Sequence, residues 1–390
     1  MTLSWNKIKA IFTKFKGLTI IGFANMVSNI IGGLFWLYVA RLLGTEHYGE
    51  ISYLIAIVNI GAIISLVGSG TTLTVYTAKG VKIQAGVYFI SIVAAVITSI
   101  VLYFMFYNIG VSLFVIGNVI FSLATSELLG LKSYRKYAIY FISQRILMAG
   151  LALFLYHIIG FNGIILGLAL SFFLTSFRIY QGFRETKIDF SLIRPRLRFM
   201  FNSYSIDITR IFATTVDKLL IAPLFGLAIL GNYQLGVQFL VLLSMFPGIV
   251  YNYILTHDAS GNPNKKLKQA TIIISVALAI LGVTLGPTVL PLFFPQFTHV
   301  GEIIQIMSLS VIPITINNTY ISKFLGKEKN KIVLVGSGIF LAMQIIAIIV
   351  LGKIFGIYGI AFSYVLATTS EAVYLMAMDR FSRKMDQTRK

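Results

Sequence analysis

Apolar runs of about twenty residues follow one another along almost the whole of this chain, separated by short polar connections. A helix needs about 20 apolar residues to cross about 30 Å of hydrocarbon. Inside lipid, every backbone N–H and C=O must find its partner within helices or a closed barrel. Twelve runs are read: residues 18–40, 50–77, 85–107, 111–131, 138–158, 164–181, 200–225, 232–256, 269–290, 299–322, 332–354 and 360–379. None shows the alternating pattern of barrel strands, so the expected fold is an all-α integral membrane protein. Composition agrees: of 390 residues 57% are hydrophobic and 12% charged, far from the soluble average. No hydrophilic stretch is long enough for a separate soluble domain.

A net charge of +19 would suggest nucleic acid in a soluble protein. Here the placement of the charge excludes that reading. Of the 32 Lys and Arg, 26 lie in Met1–Lys16, in every second connection, and in the C-terminal tail. The opposite face has only Arg41 and Lys353, each beside a helix end. The positive-inside rule then predicts a multi-pass protein of the cytoplasmic membrane with both termini cytoplasmic. Residues 18–40 are too long for a signal-peptide core and lack a cleavage site, so they are expected to stay as a helix. Before them, Trp5, Ile8, Ile11, Phe12 and Phe15 alternate with lysines. That pattern is open to two readings, a short helix on the anionic inner leaflet and a disordered basic leader.

The chain also repeats itself. Ala40-Arg41-Leu42-Leu43-Gly44 with Gly49 returns as Ala222-Pro223-Leu224-Phe225-Gly226 with Gly231, and both glycines recur at an offset of 182 positions. Gly160-Phe161-Asn162-Gly163 and Gly356-Ile357-Tyr358-Gly359 occupy the last tight turn of each half. Six helices per half keep the same orientation, so the repeat is parallel, as in transporters that enclose a site between repeats. The expected domains are residues 1–182 and 199–390, two six-helix bundles joined by a basic cytoplasmic linker at 183–198. Taken alone, the Arg41–Gly49 turn has a structural account. Gly44 ends a helix in a left-handed conformation, Arg41 complements the helix C-terminus, Tyr48 suits the interface, and Glu46 and His47 are solvated.

Charges inside membrane helices are functional-site hypotheses. Glu127 and Arg145, in the fourth and fifth runs, form either a structural ion pair or part of a site. Asp207 and Arg210 are three apart on the seventh helix and share a face. Arg210 reads as a fork for an anionic phosphate or acidic sugar, or as the internal partner of Asp207. Asp217 sits with Lys218 nearer the outer end, where a local pair or a cap is the simpler role. Glu371, without a charged neighbour on its own helix, reads as a proton-coupling carboxylate or as an inter-helix hydrogen bond. Asn25 and Asn29, with Ser28, form a polar stripe on the first helix that either lines a cavity or glues helices together. The substrate-binding candidates are therefore Arg210, Arg145, Asn25, Asn29 and Asp207, and the coupling candidates Glu371, Asp217 and Glu127. Asn317 and Asn318 near Pro313 read as kink compensation, and Pro247 as a bend in the eighth helix.

The four histidines (47, 157, 257 and 299) are scattered at helix ends, and with no cysteine in the chain no metal site is expected. A Walker loop is absent, so direct use of ATP is not expected. Neither a cofactor nor a catalytic constellation is expected.

Two strings carry a family resemblance. Ala40-Arg-Leu-Leu-Gly-Thr-Glu-His-Tyr-Gly49 resembles the first-loop signature of polysaccharide flippases, the O-antigen-type transporters of lipid-linked oligosaccharide. Asp217-Lys-Leu-Leu-Ile-Ala-Pro-Leu-Phe-Gly226, continuing to Gly231-Asn-Tyr233, resembles that family's seventh-helix segment, with Pro223 where a small or apolar residue is usual. The family belongs to the multidrug/oligosaccharidyl-lipid/polysaccharide exporter superfamily. The resemblance implies twelve helices in two six-helix bundles around a hydrated central cavity. It implies that a polyprenyl-phosphate- or pyrophosphate-linked oligosaccharide is moved from inner to outer leaflet, its tail remaining in lipid. Partners would be that substrate, membrane lipids, and a glycan polymerase or glycosyltransferases. The alternative is a cation-coupled drug or metabolite antiporter of the same superfamily. A membrane enzyme such as a glycan polymerase would need a large extracytoplasmic loop, and the sequence has none. A lipid II-type flippase would be expected to carry two further helices.

Overall fold

The computed structural model describes residues 16–259, 264–327 and 329–388, and among these every regular element is helical. In chain order they are α1 (Lys16–Leu66), α2 (Ser69–Ala78), α3 (Gln84–Phe106), α4 (Ile109–Gly130), α5 (Tyr134–Ile159), α6 (Phe161–Phe172) and α7 (Ser176–Glu185). They continue as α8 (Leu197–Phe225), α9 (Leu227–Leu243), α10 (Met245–Ala259), α11 (Lys265–Phe293), α12 (Val300–Ser308), α13 (Val311–Gly326) and α14 (Asn330–Thr388). The basic, aromatic segment from Trp5 to Phe15 lies outside the described residues.

Each of the twelve expected spans falls on helix. Eight helices among the described residues are long and apolar enough to cross a membrane, or nine if the pair α9–α10, bent by 49°, is one span. Two of those eight are double: α1 turns at Gly44 and α14 at Gly356, the glycines having φ of 73° and 57°. The remaining span is α8, which carries Asp207, Arg210, Asp217 and Lys218 and is less apolar for it.

Several spans are interrupted where one continuous helix was expected. The second breaks at Val67 and Gly68, both at positive φ, and resumes as α2. The sixth passes through a tight turn at Phe173–Thr175. The tenth breaks between Ser308 and Val311, placing Pro313 in the first turn of α13, where its missing N–H costs nothing. The eighth span was expected to bend at Pro247 and does so: the α9–α10 bend falls at Ser244, and Pro247 occupies the first turn of the helix that follows.

By internal contacts the chain resolves into two compact units: residues up to Phe35 with Leu54–Phe212, and Trp36–Tyr53 with the remainder from Ala213. The first unit is centred on Leu73, Ile83, Val87, Tyr88, Val119, Leu123 and Ile179. The second is centred on Ile221, Leu230, Tyr233, Ile303, Met307, Val311 and Ile348. Lipid tails are as apolar as these side chains, so helix association rests on close packing rather than on escape from water. Glycines make the approaches possible. A Cβ on Gly167 would lie 2.4 Å from the Cα of Ala152, so α5 and α6 touch backbone to backbone. The two Gly-x-x-Gly turns are built alike: Gly160 and Gly356 take positive φ, and Gly163 and Gly359 press on the backbone eight residues earlier, at Leu155 and Leu351.

Candidate functional site

The duplicated turn packs on its own copy. A Cβ on Gly49 would lie 1.9 Å from the carbonyl oxygen of Leu227, and one on Gly231 would lie 1.8 Å from that of Thr45. Leu227 stands to Gly231 as Thr45 stands to Gly49, so the contact is reciprocal. Gly44 and Gly226, with φ of 73° and 96°, end the preceding helix legs. Tyr48, expected at the membrane interface, is fully buried between Trp36 and Phe297 in edge-to-face contacts. Glu46 and His47 are exposed as expected, and His47 contacts Glu50 at 3.3 Å.

The embedded charges are arranged differently from the expectation in one respect. Glu127 pairs with Arg178, not with Arg145. Both carboxylate oxygens accept from the Arg178 guanidinium at 2.7 Å, and Arg178 also holds Glu185 at 3.1 Å and 3.2 Å. Glu127 is 1% exposed and the side chain of Arg178 11%, so this is a buried bidentate pair with a second acid on its open side. Its residues are 51 apart in sequence and only α7 packing against α4 brings them together. Glu127, fully engaged in a structural bond, is a poor coupling group.

Arg145 is thereby released from the pairing expected of it. Its Nε is buried with no hydrogen-bond partner among the described residues, and its Nη1 approaches only the sulfur of Met148 at 3.5 Å. A guanidinium held this way keeps donors available to an anion. On α1, Asn25 accepts from the Tyr137 hydroxyl at 3.4 Å while Asn29 is exposed. On α8, Asp207 is half-buried and Arg210 exposed. All five substrate-binding candidates thus fall in the first compact unit, because that unit extends to Phe212.

The coupling candidates Asp217 and Glu371 belong to the second unit. Asp217 accepts from the Lys218 ammonium at 3.1 and 3.2 Å, from the Lys218 backbone N–H at 2.8 Å, and from the Tyr233 hydroxyl at 3.1 Å. Its charge is balanced within the fold. Glu371 pairs with no cation among the described residues. Its Oε2 accepts from the side-chain amide of Asn317 at 3.0 Å, and that amide also donates to the Thr368 carbonyl. Asn317 was expected to compensate a kink locally; it instead joins α13 to α14. Around them lies a cavity of about 190 Å³ lined by Asn317, Asn318, Ser337, Tyr364, Thr368 and Glu371, with Ala213, Ile314, Ile321 and Phe340. The side-chain oxygen of Asn317 is buried without a partner among the described residues. A carboxylate beside an unpaired carbonyl oxygen and three hydroxyl-bearing side chains is a set of acceptors suited to a proton or a small cation.

Two further pairs escaped the sequence reading. Lys268 meets Asp258 at 2.5 Å, with Ser322 donating to the same oxygen at 2.7 Å, and Lys323 meets Asp379. Both lie at helix ends, where lysines signalled only orientation. The signal that could have found them is the presence of acids, rare in this chain, among lysine-rich connections. Among the described residues no three His, Asp or Glu side chains are grouped to hold a metal ion.

The sequence matches no protein-family model. No curated protein matches it either. Solved structures do match in fold. The lipid II flippase MurJ, in an inward closed conformation, superposes with a TM-score of 0.79 at 15% identity, covering 93% of this chain and 87% of that one. An inward-facing multidrug resistance MATE family transporter of the MOP superfamily gives 0.65 at 15% identity, covering 91% and 95%. A Vibrio cholerae MATE transporter gives 0.59 at 12% identity, covering 95% and 96%. The chain has the all-helical fold of these transporters, the superfamily fold that the resemblance implied.

Proposed function

We propose that this chain is a flippase for a polyprenyl-phosphate- or pyrophosphate-linked oligosaccharide, moving it from inner to outer leaflet by alternating access during surface polysaccharide assembly. The observation that supports this reading most is the similarity in fold to a lipid II flippase over 93% of the chain, at a TM-score above that of the MATE structures described. The charges fit it. A phosphate with several sugars is prohibitive to drag through hydrocarbon unaided, whereas the polyprenyl tail needs no carrier. Arg145, with unpaired donors in the span of α5, and Arg210, exposed on α8, offer guanidinium forks to such a headgroup. Asn25, Asn29 and Asp207 supply hydrogen-bonding groups for sugars in the same unit. The charge asymmetry of the connections supports a cytoplasmic-membrane protein with both termini inside. A glycan polymerase and glycosyltransferases would act before and after it.

The test is reconstitution. Proteoliposomes holding the purified chain and a fluorescent polyprenyl-pyrophosphate oligosaccharide are treated with an impermeant quencher. Faster loss of inner-leaflet fluorescence than in empty liposomes is expected, and equal rates would defeat the reading. The second reading, a cation-coupled drug or metabolite antiporter, draws on Glu371 and its acceptor-lined cavity. Gradient-driven uptake of a cationic dye, in liposomes that fail to flip the lipid, would select it.

A further inference from the structure

The basic stretch at residues 183–198 was expected to be a linker. It is packed onto the first compact unit. Ile193 is 3% exposed in that unit's core, close enough to Gly86 that a Cβ there would lie 2.7 Å from its Cδ1. The Ala85 N–H donates to the Thr186 hydroxyl at 3.0 Å. The Arg196 guanidinium lies 4.8 Å from the ring centre of Tyr76 and donates to the Leu192 carbonyl. These contacts turn one side of the segment inward, with Met200 one turn further along also buried.

The other side is a stripe. Arg194, Leu197, Arg198 and Phe201 are spaced i, i+3, i+4, i+7 across the tight turn Arg194–Arg196 and the start of α8, and all four are exposed. Leu197 is 45% and Phe201 64% exposed, and Lys187 and Phe190 precede them in the open. Cations alternate with apolar groups on one face. The nearby acids are already engaged: Asp189 accepts from the Ser191 hydroxyl at 2.6 Å and its N–H at 2.8 Å, and Glu185 is held by Arg178. The Ser191 hydrogen bonds hold the Asp189 carboxyl below its usual range. Arg194 and Arg198 have no acidic partner among the described residues.

We infer that this stripe is a docking site for anionic phospholipid headgroups of the bilayer, with Arg194 and Arg198 gripping the phosphate and Leu197 and Phe201 entering the acyl boundary. Guanidiniums one turn apart match a phosphodiester, and apolar residues between them select a membrane surface over a dissolved anion. The site does not depend on what the protein transports.

Native mass spectrometry of the full-length protein, titrated with phosphatidylglycerol or phosphatidylcholine, tests it. Arg194→Gln combined with Arg198→Gln is expected to weaken phosphatidylglycerol binding about 30-fold, from the usual increment per surface cation, while phosphatidylcholine binding stays unchanged. Elution volume and helicity serve as the folding check. The site is overturned if the double variant keeps its preference, or if Lys132→Gln with Arg135→Gln removes it equally. Displacement of the lipid by micromolar inorganic pyrophosphate would make it a soluble-anion site and also overturn it. Should the double variant not fold, a photoreactive phosphatidylglycerol on the unaltered protein is expected to label residues 187–201, and labelling confined elsewhere refutes the proposal.

Discussion

Gly49 and Gly231 lie backbone to backbone, each so close to the helix leg opposite that a methyl group would fall within 2 Å of a carbonyl oxygen. Because Thr45 and Leu227 supply those oxygens at matching positions, the same four-residue spacing is used twice, once from each copy of the duplicated turn. Close approach of small residues is how membrane helices bind one another. The resemblance between the two strings therefore has a mechanical meaning: each copy is the other's packing surface.

Gly231→Ala is accordingly expected to destabilise the detergent-purified protein by about 1–3 kcal/mol, the cost of overpacking a filled contact. Gly338→Ala, where nothing lies within 4 Å of the added methyl, is expected to leave the melting temperature unchanged. Equal melting temperatures for both variants would contradict the contact.

Removing Arg178 leaves Glu127 buried and unpaired. Arg178→Ala is expected to cost about 3–5 kcal/mol, while Arg145→Gln costs much less because Arg145 pairs with no acid among the described residues. Thermal unfolding of the two variants side by side decides the pairing, and the reverse order would restore Glu127–Arg145.

For transport, Arg210→Ala is expected to cut flipping at least tenfold with normal amounts of protein in the membrane. Arg210→Lys is expected to recover only part of the rate, since an ammonium lacks the planar fork. Normal transport by Arg210→Ala would remove Arg210 from the substrate path.

Ion coupling, if it runs through Glu371, has a separate signature. In proteoliposomes, Glu371→Gln is expected to retain downhill flipping and lose its acceleration by an imposed pH or sodium gradient. Asp217→Asn is expected to lower stability and leave the gradient response intact, because Lys218 already neutralises Asp217. Transport by the unaltered protein that ignores both gradients would dismiss coupling altogether.

The spans were readable because lipid imposes a length and a composition on every crossing, and Gly44, Gly160, Gly226 and Gly356 were readable as turns because positive φ selects glycine. The bend at Ser244 was readable from Pro247, whereas the breaks at Val67 and Phe173 were not, since neither valine nor phenylalanine is obliged to interrupt a helix. Charged residues were readable as unusual, but their partners were not. Helical spacing relates only residues three or four apart, whereas Glu127 and Arg178 are separated by 51 positions, and Asn317 and Glu371 by 54.

By itself, then, the sequence determined that this is a helical membrane protein with a duplicated architecture, because hydrophobic run length and glycine placement are local requirements. Only the tertiary structure decided that Arg145 is paired with no acid among the described residues and Asp217 is neutralised, that Glu371 meets Asn317 beside a cavity, and that the basic linker is a packed surface. Those are matters of which helices touch, and contact energies between distant segments leave no period in the chain.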